Sequence, residues 1–236
     1  MTVCVPDVLQ RGEIEIKGRM PWSSNATFLC ELTLDEQECL AVYKPARGER
    51  PLWDFPSGLY QREIAAYELS EALGWDLVPP TVLREGPLGD GSMQLFVEAD
   101  FAEHYFTLHE KRPEFHDRMR AMAAFDVIAN NTDRKSGHVL LATDGPMAGL
   151  IFGIDHGVCF HEDWKLRTVI WEFSGETIPA ELLPGITRLA QSVPESLAGW
   201  LSHAELDAVR HRAQVLAEQL VFPTDSTGHR YPWPMV

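Results

Sequence analysis

The chain predicts an α+β protein of two lobes, an antiparallel-sheet N-terminal lobe over residues 1–98 and a mostly helical C-terminal lobe over residues 99–236. Two observations predict the halves. Before residue 98, short apolar runs alternate with polar residues and are broken by Gly, Pro, Asn and Asp, the pattern of strands and turns. After it, apolar residues recur mainly at helical spacing. A third predicts how the halves meet. No Gly/Ser-rich linker interrupts the joint near Glu98–Asp100, so the lobes should share an interface and a cleft, a common place for a ligand.

Glu13 to Ile16 alternates as a strand, and residues 17–25 form a turn-rich loop with Gly18, Pro21, Ser23, Ser24 and Asn25. Thr27 to Thr33 and Cys39 to Lys44 are the next strands, the second closed by Pro45, with a polar hairpin connection at Asp35–Glu38. The Pro- and Gly-containing loop from Arg47 to Gly58 carries Trp53 and Phe55, either exposed or docked. Tyr60 to Leu73 has helical spacing and is stopped by Gly74. Thr81–Arg84 and Ser92–Val97 read as strands around a turn at Gly86–Gly91. Glu114 to Asn130 is a long helical pattern, and Val139–Leu141 and Leu150–Ile154 are short strands around Asp144-Gly145. The remainder reads as helical, with Ser202 and Glu205 spaced as a capping box that opens a helix to about Leu220. The last stretch, Phe222 to Val236, holds Pro223, Pro232 and Pro234. It is expected to be irregular and packed back on the body, with a partner-binding segment as the alternative.

Composition excludes several classes. A length of 236 residues suits one large domain or two lobes around a cleft. The net charge of −15, from 20 basic and 35 acidic residues, argues against nucleic acid and against docking on anionic lipid. A local basic pocket remains open, because Lys17, Arg19, Lys44, Arg47, Arg50 and Arg62 cluster in the first quarter. No apolar run approaches the roughly 18 residues of a membrane span. The N-terminus lacks a basic-then-apolar leader pattern, so the expectation is cytoplasmic with no stable membrane anchor. Cys4, Cys30, Cys39 and Cys159 form no Cys-x-x-Cys pair and read as free thiols.

The chemistry is concentrated in Asn130 to His138 and in Gly153-Ile154-Asp155-His156-Gly157. Asp133 and Asp155 flank one short apolar hairpin, a spacing that suits a catalytic carboxylate beside a metal-binding one. Kinases use that pair to transfer the γ-phosphoryl group of ATP. Each aspartate could equally be a helix-terminal or turn residue. Earlier in the chain, Lys44 ends a strand, where an ammonium can hold the phosphates of ATP. A lone lysine is ordinarily a surface residue; Glu63, near the start of the next helix, is placed to orient it. Glu68 competes for that role from another part of the helix surface. The loop tip Ser23, Ser24 and Asn25 could bind phosphates through hydroxyls and backbone amides, or be an ordinary polar hairpin. Arg134 would pair with an acidic neighbour or with substrate phosphate. His138 lies five residues after Asp133, where kinases commonly place a metal-binding Asn. Imidazole suits Mn²⁺ or Zn²⁺ better than Mg²⁺. Its alternatives are a metal ligand, a hydrogen bond to phosphate, or a structural role.

In this order the segments resemble the phosphatidylinositol 3/4-kinase-like branch of the protein-kinase-like superfamily, type II phosphatidylinositol 4-kinases above all. The resemblance rests on Ser23-Ser24 with Thr27 to Leu29, Ala41 to Pro45, Glu63 with Ala65 to Tyr67 leading to Val78-Pro79, Gly91 to Glu98, and Asn131 to Arg134 with Ile154 to Gly157; Trp164 follows at a similar place. It covers about residues 14 to 175 and is distantly shared by bacterial toxin kinases. It implies a bilobal protein-kinase-like fold that uses ATP with Mg²⁺, or Mn²⁺. Lys44 would hold phosphates. Gln94, Leu95, Phe96 and Val97 would be the hinge, with backbone groups of Leu95 and Val97 facing adenine. Asp133 would serve the acceptor hydroxyl and Asp155 would bind metal. The sequence departs from the family at His138, in its short C-terminal lobe, in its acidity, and in lacking a cysteine-rich insertion between Pro51 and Tyr60. These departures weigh against a lipid substrate. The acceptor expected is a small polyol or inositol-like hydroxyl, or a protein Ser/Thr. A non-catalytic pseudokinase and a nucleotidyl transferase on the same fold are the alternatives.

Overall fold

The computed structural model describes residues 5–21, 23 and 25–236. Its sheet has five strands, β1 (Glu13–Arg19), β2 (Phe28–Leu34), β3 (Gln37–Pro45), β4 (Thr81–Gly86) and β5 (Gly89–Leu95), in the order β1-β2-β3-β5-β4. Every neighbouring pair is antiparallel. β1 runs three residues beyond the expected Ile16, because the register shifts between Ile16 and Gly18 and pairing resumes at Gly18 and Arg19. Such a bulge breaks the alternation by which a strand is recognised in sequence. β4 and β5 close more tightly than expected, with Gly86 opposite Gly89. Gly91 then lies opposite Pro45, and a Cβ at Gly91 would collide with the Lys44 carbonyl. The glycine therefore lets β5 approach β3 at the residue that matters most for the cleft.

The inner face of the sheet buries Cys30, Leu32, Ala41, Tyr43 and Met93 against Val8 and Leu9 of α1 (Val5–Arg11), a helix the sequence pattern did not reveal. A second and larger core unites α2 (Leu59–Leu73), α3 (Tyr105–Lys111), α4 (His116–Ala129), α5 (Leu183–Gln191), α6 (Glu195–Ala198) and α7 (His203–Gln219). α2 thus belongs by sequence to the first 98 residues and by packing largely to the helical core, while also touching β4 and β5. A small third cluster, Val97 with Leu140, Ala142 and Phe152, sits where the chain passes between the lobes. It includes the hairpin of β6 (Val139–Leu141) and β7 (Ile151–Gly153).

Left-handed residues set several helix ends, among them those of α2 and α4. Gly74 caps α2 at φ 73°, as the sequence predicts. Asn130 caps α4 at φ 52°, and its side chain makes the conformation worthwhile: Nδ2 donates to the His161 and Asp163 carbonyls, and Oδ1 accepts from Lys165 N–H. Ser202 and Glu205 form the expected capping box of α7. The expectation that the chain is helical beyond Ile154 is corrected. No described residue between 154 and 182 is in an α-helix. Their backbone groups pair instead with the loop after α4: Thr132 N–H to Val158 O, Arg167 N–H to Asn131 O, and Arg134 beside Thr168 in a parallel bridge. Long-range pairing of this kind leaves no local periodicity.

Candidate active site

Lys44 projects from β3 toward Glu63 on α2 and Asp155 just past β7. Its Nζ donates to Glu63 Oε1 and, at 2.9 Å, to Asp155 Oδ1. Glu63 is 2% exposed and uses its other oxygen to accept the His156 N–H at 3.0 Å. One carboxylate therefore ties the strand lysine to the backbone beside Asp155. Of the two glutamates weighed from sequence, Glu63 holds the lysine. Burial disfavours the charge on Lys44, but Asp155 and Glu63 outweigh it and hold the ammonium above its ordinary value. In turn Lys44, against the cost of burial, holds the Asp155 carboxyl well below the usual range. Asp155 has a left-handed backbone, φ 62°, a conformation that aspartate tolerates better than most side chains.

His138 ends a single 3₁₀ turn, Ser136–His138, and its Nε2 lies 3.4 Å from Asp155 Oδ2. Burial pushes its pKa down to about 4, so the ring is neutral near pH 7; Nδ1 accepts the Lys135 N–H at 3.4 Å, which leaves the ring proton on Nε2 facing Asp155, where a bound cation would replace it. The two expected metal ligands are thus neighbours. Among the described residues no group of three or more His, Cys, Asp or Glu side chains is arranged to hold a metal. A carboxylate and one neutral imidazole fit a divalent cation that takes its remaining ligands from phosphate oxygens and water.

Asp133 is partly buried, which raises its pKa, while a 2.7 Å hydrogen bond from Lys135 Nζ opposes the rise. Its N–H donates to Asn131 Oδ1 at 3.0 Å, which fixes the loop locally. Lys135 escaped the sequence reading. Its position two residues after Asp133, in an acidic chain, is the signal that could have found it.

Arg134 requires a correction. It was expected among the catalytic groups, with either an acidic neighbour or phosphate as its partner. Its side chain is fully buried and turned away from the cleft, on Asp126 of α4, at 3.1 Å from Nε and 3.0 Å from Nη2. Nη1 donates to the Ile154 and His138 carbonyls, and Nη2 reaches His156 Nε2 at 2.7 Å. Asn131 and Thr168 also donate to Asp126. Arg134 joins α4 and the loop carrying Asp133 to the segment carrying Asp155, and so acts on the site through other residues.

The nucleotide side is corrected in two places. Of the Leu95 backbone groups expected to face adenine, the N–H is taken, donating to Pro80 O at 2.8 Å, which leaves the carbonyl as the group for that role; Phe96 N–H donates to Leu40 O at 2.9 Å. The Gln94 side chain is buried and donates to Thr81 Oγ1. Among the described residues nothing accepts the Val97 N–H, which leaves it available. In the loop after β1, Ser23 Oγ is 2.7 Å from Thr27 Oγ1, and Asn25 Oδ1 accepts the Arg50 N–H, so one side chain pairs locally and the other ties the loop to the segment after β3. Ser24 lies outside the described residues. Phe55 is docked, stacked edge-on with His161 and beneath Arg62, whereas Trp53 is exposed.

The fold and this constellation define a kinase-like phosphotransferase. The family model "Phosphatidylinositol 3- and 4-kinase" matches residues 83–218, more than half of the chain. The chain belongs to that family, as its motifs suggested. It is 42% identical to Protein Rv2133c of Mycobacterium tuberculosis (strain ATCC 25618 / H37Rv), over 96% of this chain and 94% of that protein. Phosphatidylinositol 4-kinase gamma 4 of Oryza sativa subsp. japonica is 30% identical over 47% of this chain and 22% of its own length. Among solved structures, the Helicobacter pylori proinflammatory kinase CtkA superimposes with a TM-score of 0.55 over 91% of this chain and 94% of that one, at 13% identity. That likeness bears on the fold alone.

Proposed function

We propose that the protein transfers the γ-phosphoryl group of ATP to a hydroxyl acceptor, a small polyol or inositol-like molecule or a protein Ser/Thr. The observation that carries the reading is the bridge from Lys44 to both Glu63 and Asp155, which joins a strand lysine to the carboxylate beyond β7. Residues 1–98 would serve as the nucleotide-binding lobe and residues 99–236 as the catalytic lobe. Val97 N–H is the hinge donor for adenine, and Lys44, oriented by Glu63, meets the phosphates. The Ser23–Asn25 loop covers them through its backbone. Asp155 and His138 would hold a divalent cation, which supplies positive charge to the phosphate oxygens when bound. Asp133 orients the acceptor hydroxyl and takes its proton as the oxygen attacks. Lys135 offsets charge on the moving phosphoryl group. Little covalent chemistry is asked of the protein; position and charge do most of it.

Among the described residues no helix is long and apolar enough to cross a membrane. A cytoplasmic setting without a membrane anchor is part of the proposal, as is the absence of a nucleic-acid partner from a chain of net charge −15.

A pseudokinase is the second reading, favoured by His138 where an Asn is expected. The test is ADP production and nucleotide binding with Mg²⁺ and with Mn²⁺, for the wild type and Asp133→Asn. Turnover by the wild type with loss in Asp133→Asn supports phosphotransfer. Metal-dependent binding with no turnover, over a panel of polyol and protein acceptors, favours the pseudokinase. Release of pyrophosphate in place of ADP points to nucleotidyl transfer.

A further inference from the structure

The chain after α7 does not leave the body. Phe222 N–H donates to Glu176 O at 3.0 Å, and further on both Thr168 N–H and the Trp171 indole Nε1–H donate to the Arg230 carbonyl at 3.1 Å. The segment then runs to the loop that carries Asp133, where Ser136 N–H donates to the Met235 carbonyl at 2.8 Å. Thr168 is itself paired with Arg134, through Arg134 N–H to Arg167 O and Val169 N–H to Arg134 O, both 3.1 Å. These bonds close a ring: Arg134 to Thr168, Thr168 to Arg230, and Met235 back to Ser136. Asp133 borders that ring and Lys135 lies on it.

Two facts set this contact apart from ordinary packing. Of residues 231–236 only Pro232 is buried, none belongs to the three apolar clusters, and Trp233 is 90% exposed. Apolar burial is therefore not the segment's main contribution. Ser136, by contrast, is fully buried and opens the 3₁₀ turn that delivers His138 to Asp155. A first-turn amide has no partner inside its own turn, and burial without one is costly. Met235 supplies the acceptor.

We propose that residues 231–236 are a backbone brace for the catalytic loop, with Met235 and Ser136 as positioning residues that hold Asp133 and His138 in register with Asp155. The inference rests on the proposed role of Asp133.

Two variants remove the same bond from opposite ends. One chain stops after Arg230. The other is Ser136→Pro, which deletes the donor at the first position of a helical turn, where proline fits, after a residue, Lys135, that is already extended (ψ 163°). The expected result is nucleotide affinity within about threefold of wild type, kcat for ADP production lowered by about tenfold or more, and KM for ATP little changed. The double variant should lose no more than the shortened chain alone, since Ser136→Pro removes only a contact that the shortened chain already lacks. A peptide of residues 231–236 should rescue the shortened chain but not Ser136→Pro. Unchanged or raised kcat in the shortened chain, or losses that multiply in the double variant, overturns the brace. Amide exchange at Ser136 separates this failure from failure of the phosphotransfer reading. Should the wild type make no ADP, faster exchange at Ser136 in the shortened chain supports the brace, and equal protection rejects it.

Discussion

Lys44 Nζ stands 2.9 Å from Asp155 Oδ1, although 111 residues of chain separate them. The contact joins the sheet to the segment beyond β7, and Glu63 completes it from α2 by accepting from both Lys44 and the His156 N–H. Lys44 therefore has a structural task as well as a proposed chemical one. Lys44→Met should abolish ADP production. It should also lower stability, because it leaves the buried Glu63 carboxylate without its cation. Breaking a buried pair from one side costs about 3–5 kcal/mol at full burial; the 21% exposure of the Lys44 side chain puts the expectation below that range. Lys44→Met with Glu63→Gln should recover much of the stability and none of the turnover. Chemical denaturation and an ADP assay check the two halves.

Asp133 and Arg134 are adjacent in sequence and should separate cleanly in experiment. Asp133→Asn weakens only a partly exposed ion pair with Lys135, worth about 1 kcal/mol, yet should lower turnover by about 10²–10⁴-fold. Arg134→Met strands the fully buried Asp126 and should cost about 3–5 kcal/mol. Arg134→Lys should recover little, because an ammonium cannot reproduce the fork that reaches Asp126, His156 and two carbonyls. Urea unfolding of the three variants, set beside their activity, provides the check. Equal stability losses for Asp133→Asn and Arg134→Met would contradict the assignment.

His138 is held 3.4 Å from Asp155 as a neutral ring. Replacing that nitrogen donor with an amide oxygen, in His138→Asn, should shift the ratio of turnover with Mn²⁺ to turnover with Mg²⁺ toward Mg²⁺. Steady-state kinetics with each metal titrated separately reads the shift. An unchanged ratio would place His138 outside the metal's reach.

Asn130 combines a left-handed backbone with three side-chain hydrogen bonds to residues 161–165. Asn130→Gly keeps the backbone and loses the bonds, at about 1 kcal/mol each. Asn130→Ala loses the same bonds and adds strain of about 1 kcal/mol. The alanine variant should therefore be the less stable, with a lower melting temperature by calorimetry.

Much of this protein was legible in its sequence because the signals are local. Strand alternation located β2 and β3, the stop at Gly74 ended α2, and Ser202 with Glu205 opened α7. Lys44, Glu63, Asp133 and Asp155 could be named as a set because each sits at a recognisable element boundary in the right order. Tertiary structure decided what local pattern cannot carry. It assigned Glu63 over Glu68, because only the folded chain shows which helix face meets β3. It turned Arg134 inward to Asp126, since a buried carboxylate needs a cation wherever the chain can bring one. It engaged the Leu95 amide with Pro80 and left the Val97 amide open. It replaced the expected helix beyond Ile154 with backbone pairing to the loop of Asp133. It also brought Met235 onto Ser136. Hydrogen bonds outside the steps of a helix or hairpin, whether from Arg134 to Asp126 or from Ser136 to Met235, leave no period in a sequence; they exist only once the cores have brought those groups together.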